Sequence, residues 1–509
     1  MKDGNYWTGK YWPRVLGRLL SRRTFLAGAG LVALGGLVRC SSAPSTPPSD
    51  RLPLLEPEKF PSSQMVWSWQ QRLSSLSPPF TGSPHHTAYV DWLDRELQAA
   101  RLETQRRSFT FSYWEPQSYG LWDPDGQRIP TAGYQPYSGE TSASGITAPL
   151  HYAGTAPNLD YVGAAGKIVV YEAPLPPVPS GSLYTPFGYY PPDCGAEVPA
   201  VEVNPQWAFI TAPSLAPAKA AGAVGVIRVW TNVSDEAAMH QDQPWGSPPA
   251  GIPALWVGRS AGEQVKALAE ANQTITLKLH ATVTPDAPTD NLWAVLPGQA
   301  DETIIINSHS DGCNALEENG GLGVLALAKY FSQIPLSQRL RTLVFLITTG
   351  HFSHGMVAGT STWQAENPEL MGRAVACVTL EHLGGMEWGD DEEGRYRPTG
   401  KVAFQPMLTG LQSMADVFLQ SAEAVKADRM EALNVTGAPY FGEGSSFWQA
   451  GIPTISFIGG TWYTFTAPPL GELVKLDPDR LYVEIGTAAL CVQRLDGMSI
   501  EEVRGTQRA

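Results

Sequence analysis

The chain predicts an α/β protein: a mixed, mainly parallel sheet flanked by helices, with a smaller α/β unit inserted in it. Three observations carry that expectation. Short, almost uninterrupted apolar runs such as "TLVFLIT" and "AVACVTL" have the length and composition of strands buried on both faces. Each runs into a loop rich in polar groups, and the loop after "TIIIN" leads into the helical pattern "GGLGVLALAKYF", the alternation expected of a sheet covered by helices. Residues 140–285 repeat strand and helix on their own, in "GKIVVYEA", "LAPAKAAGAVGVIRVW" and "GIPALWVGRSAGEQVKALAEA".

Taken in order, the chain opens with an address. Basic positions through Arg23 precede the 15-residue apolar run "TFLAGAGLVALGGLV", which suits a signal sequence and is too short for a comfortable membrane span. "SRRTFL", Ser21 to Leu26, resembles the twin-arginine signal, so residues 1–39 are expected to direct export. Cys40 follows, then "SSAPSTPPSD", and residues 40–53 read as an extended tether. The layout is similar to that of a bacterial lipoprotein with Cys40 lipidated, although Arg39 stands where a small residue is usual. Two outcomes stay open: a lipid anchor on Cys40, or cleavage nearby and release as a secreted or periplasmic protein.

Residues 1–39 carry seven Lys or Arg and one Asp, so removing their +6 from the formal −14 leaves −20 on the remainder. A body that acidic argues against sequence-independent nucleic-acid binding, and only a lipid on Cys40 would bring it to a membrane. Cys194, Cys313, Cys377 and Cys491 form no CxxC pair and leave open one disulfide, two or none; Cys377 is expected as a buried small hydrophobe.

Residues 54–112 read as helices separated by "FTGSPHH" and closed by the strand-like "RRSFTFSYW". His85 and His86, beside Gly82 and Pro84, are expected in a surface loop. Residues 54–139 and 286–509 form the main domain and 140–285 the insertion. Within the insertion, "APLPPVPSGSLYTPFGYYPPDCG" is expected as a long surface loop serving as a lid or binding edge.

The reactive residue types collect where strands end. His309, Asp311, Glu317 and Glu318 follow one apolar run, Gly350 and His351 a second, Glu381 and His382 a third, and Trp462, Tyr463 and Phe465 a fourth. Glu443 lies in the Gly-rich "YFGEGSSFWQAGIP". Open α/β sheets bind ligands at the carboxyl ends of their strands. Singly, each of these is an ordinary polar group, and the two glutamates would suit a helix N-terminus. Together they are a set able to bind a divalent cation.

In this order the motifs resemble the co-catalytic zinc exopeptidases of the aminopeptidase Y and glutamate carboxypeptidase type, the M28 peptidase family, from about residue 60 to 490. The Ala-Gly-Ala before "VGVI" and the "GIPALWVG" run resemble the protease-associated domain attached to several peptidase families. The resemblance implies a zinc exopeptidase domain with a protease-associated insertion, hydrolysing a peptide or related amide with one or two divalent ions, zinc by preference. It implies His309 as a terminal ligand, Asp311 as the group fixing its tautomer, Glu318 as a bridging carboxylate, and His351 and Glu381 as further ligands. Trp462, Tyr463 and Phe465 would wall the substrate pocket, with Glu443 beside it.

Four positions depart from the family: His351 and Glu381 stand where it has a ligand glutamate and a ligand aspartate, and can still bind zinc through nitrogen or oxygen. Gly350 stands where its general base would be, and Phe465 where its last histidine ligand would be; none of the nine histidines follows His382. Glu317 and His382, each next to an expected ligand, are the expected substitutes for the base. Three readings stay open: a rearranged metallohydrolase, a pseudopeptidase serving as an extracytoplasmic binding module, and polar strand ends that merely bond to one another.

Overall fold

The structure is a computed structural model that describes residues 56–468 and 472–505; the twin-arginine segment, the tether and Cys40 lie outside the described residues. Two helices, α1 (Ser63–Leu76) and α2 (Pro84–Ala99), lead into the long strand β1 (Thr104–Trp122). The middle of the chain supplies β2 (Gly133–Tyr134), β3 (Ile146–Thr155), β4 (Ile168–Glu172), β5 (Thr185–Tyr190), β6 (Gly225–Val229), β7 (Ala254–Val257) and α3 (Arg259–Glu270). Next come β8 (Thr274–Leu296), β9 (Ala300–His309), α4 (Gly320–Phe331), β10 (Arg341–Thr348) and β11 (Ala374–Glu381). The remainder contributes β12 (Gln405–Thr409), α5 (Gln412–Ala424), β13 (Met430–Asn434), β14 (Thr454–Ile458) and α6 (Pro478–Gly497).

These strands join in one mixed sheet of order β2-β7-β6-β4-β3-β8-β10-β9-β11-β14-β12-β13-β5. It holds two parallel blocks, β3-β4-β6-β7 and β10-β9-β11-β14. Between the blocks β8 pairs antiparallel with β3 and β10, and along most of its length with β1, from Thr104↔Ala294 to Trp122↔Thr276. β8 continues through residues 285 and 286, where its register with β1 shifts and Asp286 has φ +54°, so the two blocks share a strand.

The side-chain period of two explains why both faces are covered. Ile304, Ile306, Phe345 and Ile347 face a core shared with α1, α2, α4, α5 and α6, while Ile305, Val344, Leu346 and Cys377 face Trp293, Trp363 and Phe447. Cys194, Cys313, Cys377 and Cys491 are all buried free thiols. No helix among the described residues is long and apolar enough to cross a membrane.

Two expectations are corrected. The polar break at "FTGSPHH" is a helix start, because the Ser83 side chain accepts from the His86 amide and Pro84 sits in the first turn. His85 is exposed, but His86 is buried, with Nε2 at 2.8 Å from Ser310 Oγ. The Pro- and Tyr-rich stretch of the insertion is also not all loop: β5 lies in it and pairs antiparallel with β13, from Met430↔Tyr190 to Asn434↔Thr185. Its apolar partners are in another part of the chain, so no local alternation marks it.

Candidate metal centre

Four strand ends build the centre. β9 ends on His309, and the buried turn 310–319 brings Glu317 back under it before α4 begins. Asn314 shapes that turn: its Oδ1 accepts from the Leu316 and Glu317 amides at 2.9 and 3.1 Å, and its Nδ2 donates to the Thr464 and Thr466 carbonyls at 2.9 and 2.8 Å. Asn319 ties the same turn to Leu383, donating at 2.7 Å and accepting at 2.8 Å. The loop after β10 runs through Gly350, at φ +100°, to His351, and β11 ends on Glu381 followed by His382 at φ +56°. A non-glycine residue held in the left-handed region costs on the order of 1–3 kcal/mol and persists where the surroundings require it.

The three imidazoles share one pattern. Nδ1 of His309 lies 2.8 Å from the Asp311 carbonyl, Nδ1 of His351 3.2 Å from Glu443 Oε1, and Nδ1 of His382 2.5 Å from the Gly459 carbonyl. Each acceptor requires a proton on Nδ1, which leaves Nε2 as the free lone pair of the neutral ring. All three Nε2 atoms point at one carboxylate: Glu317 Oε1 lies 3.6 Å from that of His309, 3.4 Å from that of His351 and 3.7 Å from that of His382. Glu381 Oε2 lies 3.6 Å from His309 Nε2.

A divalent ion fits these residues. Nε2 of His309 and His382, both oxygens of Glu317 and Oε2 of Glu381 are buried without a hydrogen-bond partner, an arrangement that costs several kcal/mol unless something satisfies it. Ligands about 2.0–2.1 Å from a tetrahedral zinc are about 3.3–3.4 Å apart, close to the separations found. Two triads, His309 with His351 and Glu381, and His309 with Glu317 and His382, have ligand atoms within 4.8 Å of one another.

The electrostatics of the metal-free chain follow from the same crowding. Burial opposes charge on His309 and His351, but Glu317 overrides it for both, with Glu381 helping at His309 and Glu443 at His351. His309 rises to about 9 and His351 rises well above the usual imidazole range. Burial likewise works against ionising Glu317, yet the imidazoles hold it down at about 2. Glu318 is pushed the other way, well above the carboxylate range, by burial and by the charge on Glu317. Protons thus stand in for a cation.

The other expected residues are placed as follows. Glu317, not Glu318, faces the imidazoles; Glu318 is buried outside both triads, and the two carboxyl groups crowd Gly312, where a Cβ would strike both. The Asp311 side chain makes no hydrogen bond to His309. Its Oδ2 accepts from the Thr81 hydroxyl and from the amides of Gly350 at 3.2 Å and Phe352 at 2.9 Å, so it fixes the loop that carries His351. Glu443 orients His351 and accepts from Thr360, while its own amide donates to Glu381 Oε1 at 2.8 Å.

Trp462 and Phe465 line a cavity of about 350 Å³ whose wall includes His351, Glu381 and His382. Tyr463 packs against Ala315 and Leu316, its hydroxyl donating to the Lys475 and Met386 carbonyls at 2.6 and 2.8 Å. Phe465 packs on Cys313, Phe352 and Trp245.

Sequence reasoning missed the segment around Asp242. It is bound to the fourth strand-end loop, the Asp242 amide donating to the Phe465 carbonyl at 2.7 Å and that of Ala467 to the His240 carbonyl at 2.7 Å. Trp245 stacks on His351 with centroids 4.6 Å apart. Asp242 is buried with neither carboxyl oxygen hydrogen-bonded, and burial, then Glu317, push it up to about 8. Nothing in "HQDQPWG" signals proximity to residues seventy positions on.

No protein-family model and no curated protein sequence matches the chain. Solved structures do. A peptidase M28 precursor from Shewanella amazonensis superposes with a TM-score of 0.63 at 16% identity, covering 89% of this chain and 97% of its own. The zinc aminopeptidase of Bacillus subtilis gives 0.60 at 16% identity, covering 86% and 97%, and an aminopeptidase from Aneurinibacillus sp. strain AM-1 gives 0.57 at 17%, covering 87% and 95%. At these identities the likeness is one of fold.

Proposed function

We propose that this chain, built on the fold of the zinc aminopeptidases, is an exported metal-dependent hydrolase of peptides or related amides. The observation that supports this best is the convergence of three Nδ1-anchored imidazoles on the Glu317 carboxylate, with Glu381 at 3.6 Å from His309 and the inward atoms of His309, His382, Glu317 and Glu381 unpartnered. His309, Glu317 and Glu381 would hold a zinc-type ion together with His351 or His382. Such an ion supplies Lewis acidity and makes water a nucleophile near neutral pH.

The chain's own residues do the rest. Glu443 and the Gly459 carbonyl keep the His351 and His382 lone pairs turned inward. Trp245 and Phe465 wall the centre against bulk water, strengthening each charge interaction within it. Glu317 and His382 both stand inside the ligand group, and burial and Glu317 hold Glu318 and Asp242 toward their protonated forms, so neither replaces the proton acceptor that Gly350 lacks. The insertion is read as a protease-associated module. The Arg22-Arg23 signal supports action outside the cytoplasm, with Cys40 as the candidate anchor.

Gly350 and Phe465 favour a second reading, a binding module without turnover. Metal analysis separates the two. The purified mature protein should keep at least about half an equivalent of zinc or a similar ion, Glu317→Gln should lower zinc affinity by about a hundredfold, and Glu318→Gln should retain the metal. A chain that neither carries nor takes up zinc would leave only the binding module. A zinc-loaded chain inert on a panel of aminoacyl anilides would point the same way.

A further inference from the structure

The cavity beside the centre has a composition that the hydrolytic reading does not explain. Its wall is largely aromatic and aliphatic, with Trp207, Phe209, Leu408 and Leu433 among its residues, and it carries Glu202, Glu387 and Glu431 besides Glu381 but no Lys or Arg. Glu387 is already matched, its Oε1 accepting from Arg429 at 3.0 Å. Glu202 and Glu431 are not: among the described residues neither makes an ion pair, and their partners are neutral, Asn204 Nδ2 donating to Glu202 Oε1 at 2.8 Å and the Tyr189 hydroxyl bonding the Glu431 carboxyl.

Their origins make the pairing specific to this chain. Glu202 comes from the inserted segment and Glu431 from β13, the strand on which the insertion's own β5 is laid. Burial raises both above the usual carboxylate range, and Glu202 adds to the rise at Glu431, which reaches about 7. Two carboxylates on one wall repel each other unless one is protonated or a cation lies between them. At the centre, the same cavity meets Glu381 Oε2 and His382 Nε2, both buried and unpartnered.

We infer that this cavity is a specificity pocket for a cationic side chain, the lysine- or arginine-type residue of a peptide or amide substrate, with Glu202 and Glu431 receiving its charged end. The inference rests on the hydrolase reading and names its substrate class. Leu408, Leu433 and Pro406 offer apolar surface to a methylene stem, which long basic side chains bury readily while their heads stay solvated or paired. A plain aliphatic side chain would leave the two acids uncompensated.

Binding of L-lysine and L-norleucine, product-type ligands that differ by one ammonium group and are not turned over, tests this by calorimetry on the zinc-loaded protein. Lysine should bind at least about tenfold more tightly, the yield of one charge-assisted contact. Glu202→Gln combined with Glu431→Gln should bring the two ligands within about twofold, and the single variants, checked for folding by thermal melts, should each remove part of the preference. Equal binding of both ligands to the wild type, binding of neither, or a preference that survives both substitutions overturns the pocket. An inert enzyme that still prefers lysine would overturn the hydrolase reading and leave the pocket standing.

Discussion

A buried imidazole that donates through Nδ1 has one lone pair to give, and His309, His351 and His382 all turn theirs toward Glu317. Without metal, protons must take the place of the ion, and this fixes a pH dependence. Despite burial, Glu317 and Glu381 raise His309 from its usual 6.5 to about 9 in the fold, so the stability it contributes is complete below about 6.5 and lost as pH rises through 9. Asp242, raised from 3.8 to about 8, acts in the same direction, its contribution falling as pH rises through 8. Glu317 and Glu443, lowered from 4.5 to about 2, contribute stability above 4.5 that is lost as pH falls through 2. Chelator-treated protein should therefore melt highest between about pH 4.5 and 6.5 and lose several degrees by pH 9, with a shallower fall in Asp242→Asn; zinc-loaded protein should lack the alkaline loss. A flat profile in the metal-free protein would count against the protonated cluster. His309, His351 and Glu381 were legible from sequence because each follows an apolar strand. That Glu317 and not Glu318 turns toward the imidazoles was not, since which neighbour turns inward depends on the Asn314 turn. Asp242 was hidden because its link to the site is tertiary.

At the scale of elements, the loop after β10 decides whether His351 can reach the centre. Gly350 holds φ +100°, and a Cβ there would lie 2.7 Å from the Val357 carbonyl. This position lacks room for any side chain, so a glutamate placed there would not supply a proton acceptor. Gly350→Ala should cost about 1–3 kcal/mol and lower zinc affinity about tenfold through His351, whereas Gly355→Ala, at φ +80° with nothing within 4 Å of its Cβ, should cost about 1 kcal/mol and leave zinc binding unchanged. Melts and zinc titrations of the two variants check this, and equal effects would remove the steric argument. The apolar strands and α4 were readable because periodicity and length leave few alternatives. The Ser83 cap in "TGSPHH" was missed, because its polar letters serve helix start and loop alike. β5 had no local signal at all.

At the scale of the molecule, the two parallel blocks are joined by the β1 and β8 ladder and again by the segment that places Asp242 and Trp245 against the strand-end loops. The fold class was legible because strand-and-helix alternation is a property of long stretches. How the middle of the chain would wrap the remainder was not, because pairings such as Gln241↔Thr466 join segments more than two hundred residues apart. β5 gives that wrapping a further consequence. It covers β13, whose Met430, Ala432 and Leu433 are buried, so the middle segment closes what would otherwise be an exposed, apolar sheet edge. Open edges recruit strands from other molecules. A chain in which a short linker replaces residues 140–285 should therefore self-associate, with light scattering rising with concentration, while a chain that restores only a β5 segment should scatter less; a monomeric deletion variant would refute this. The part of the protein that resembles a dispensable accessory would then be what keeps its neighbour soluble.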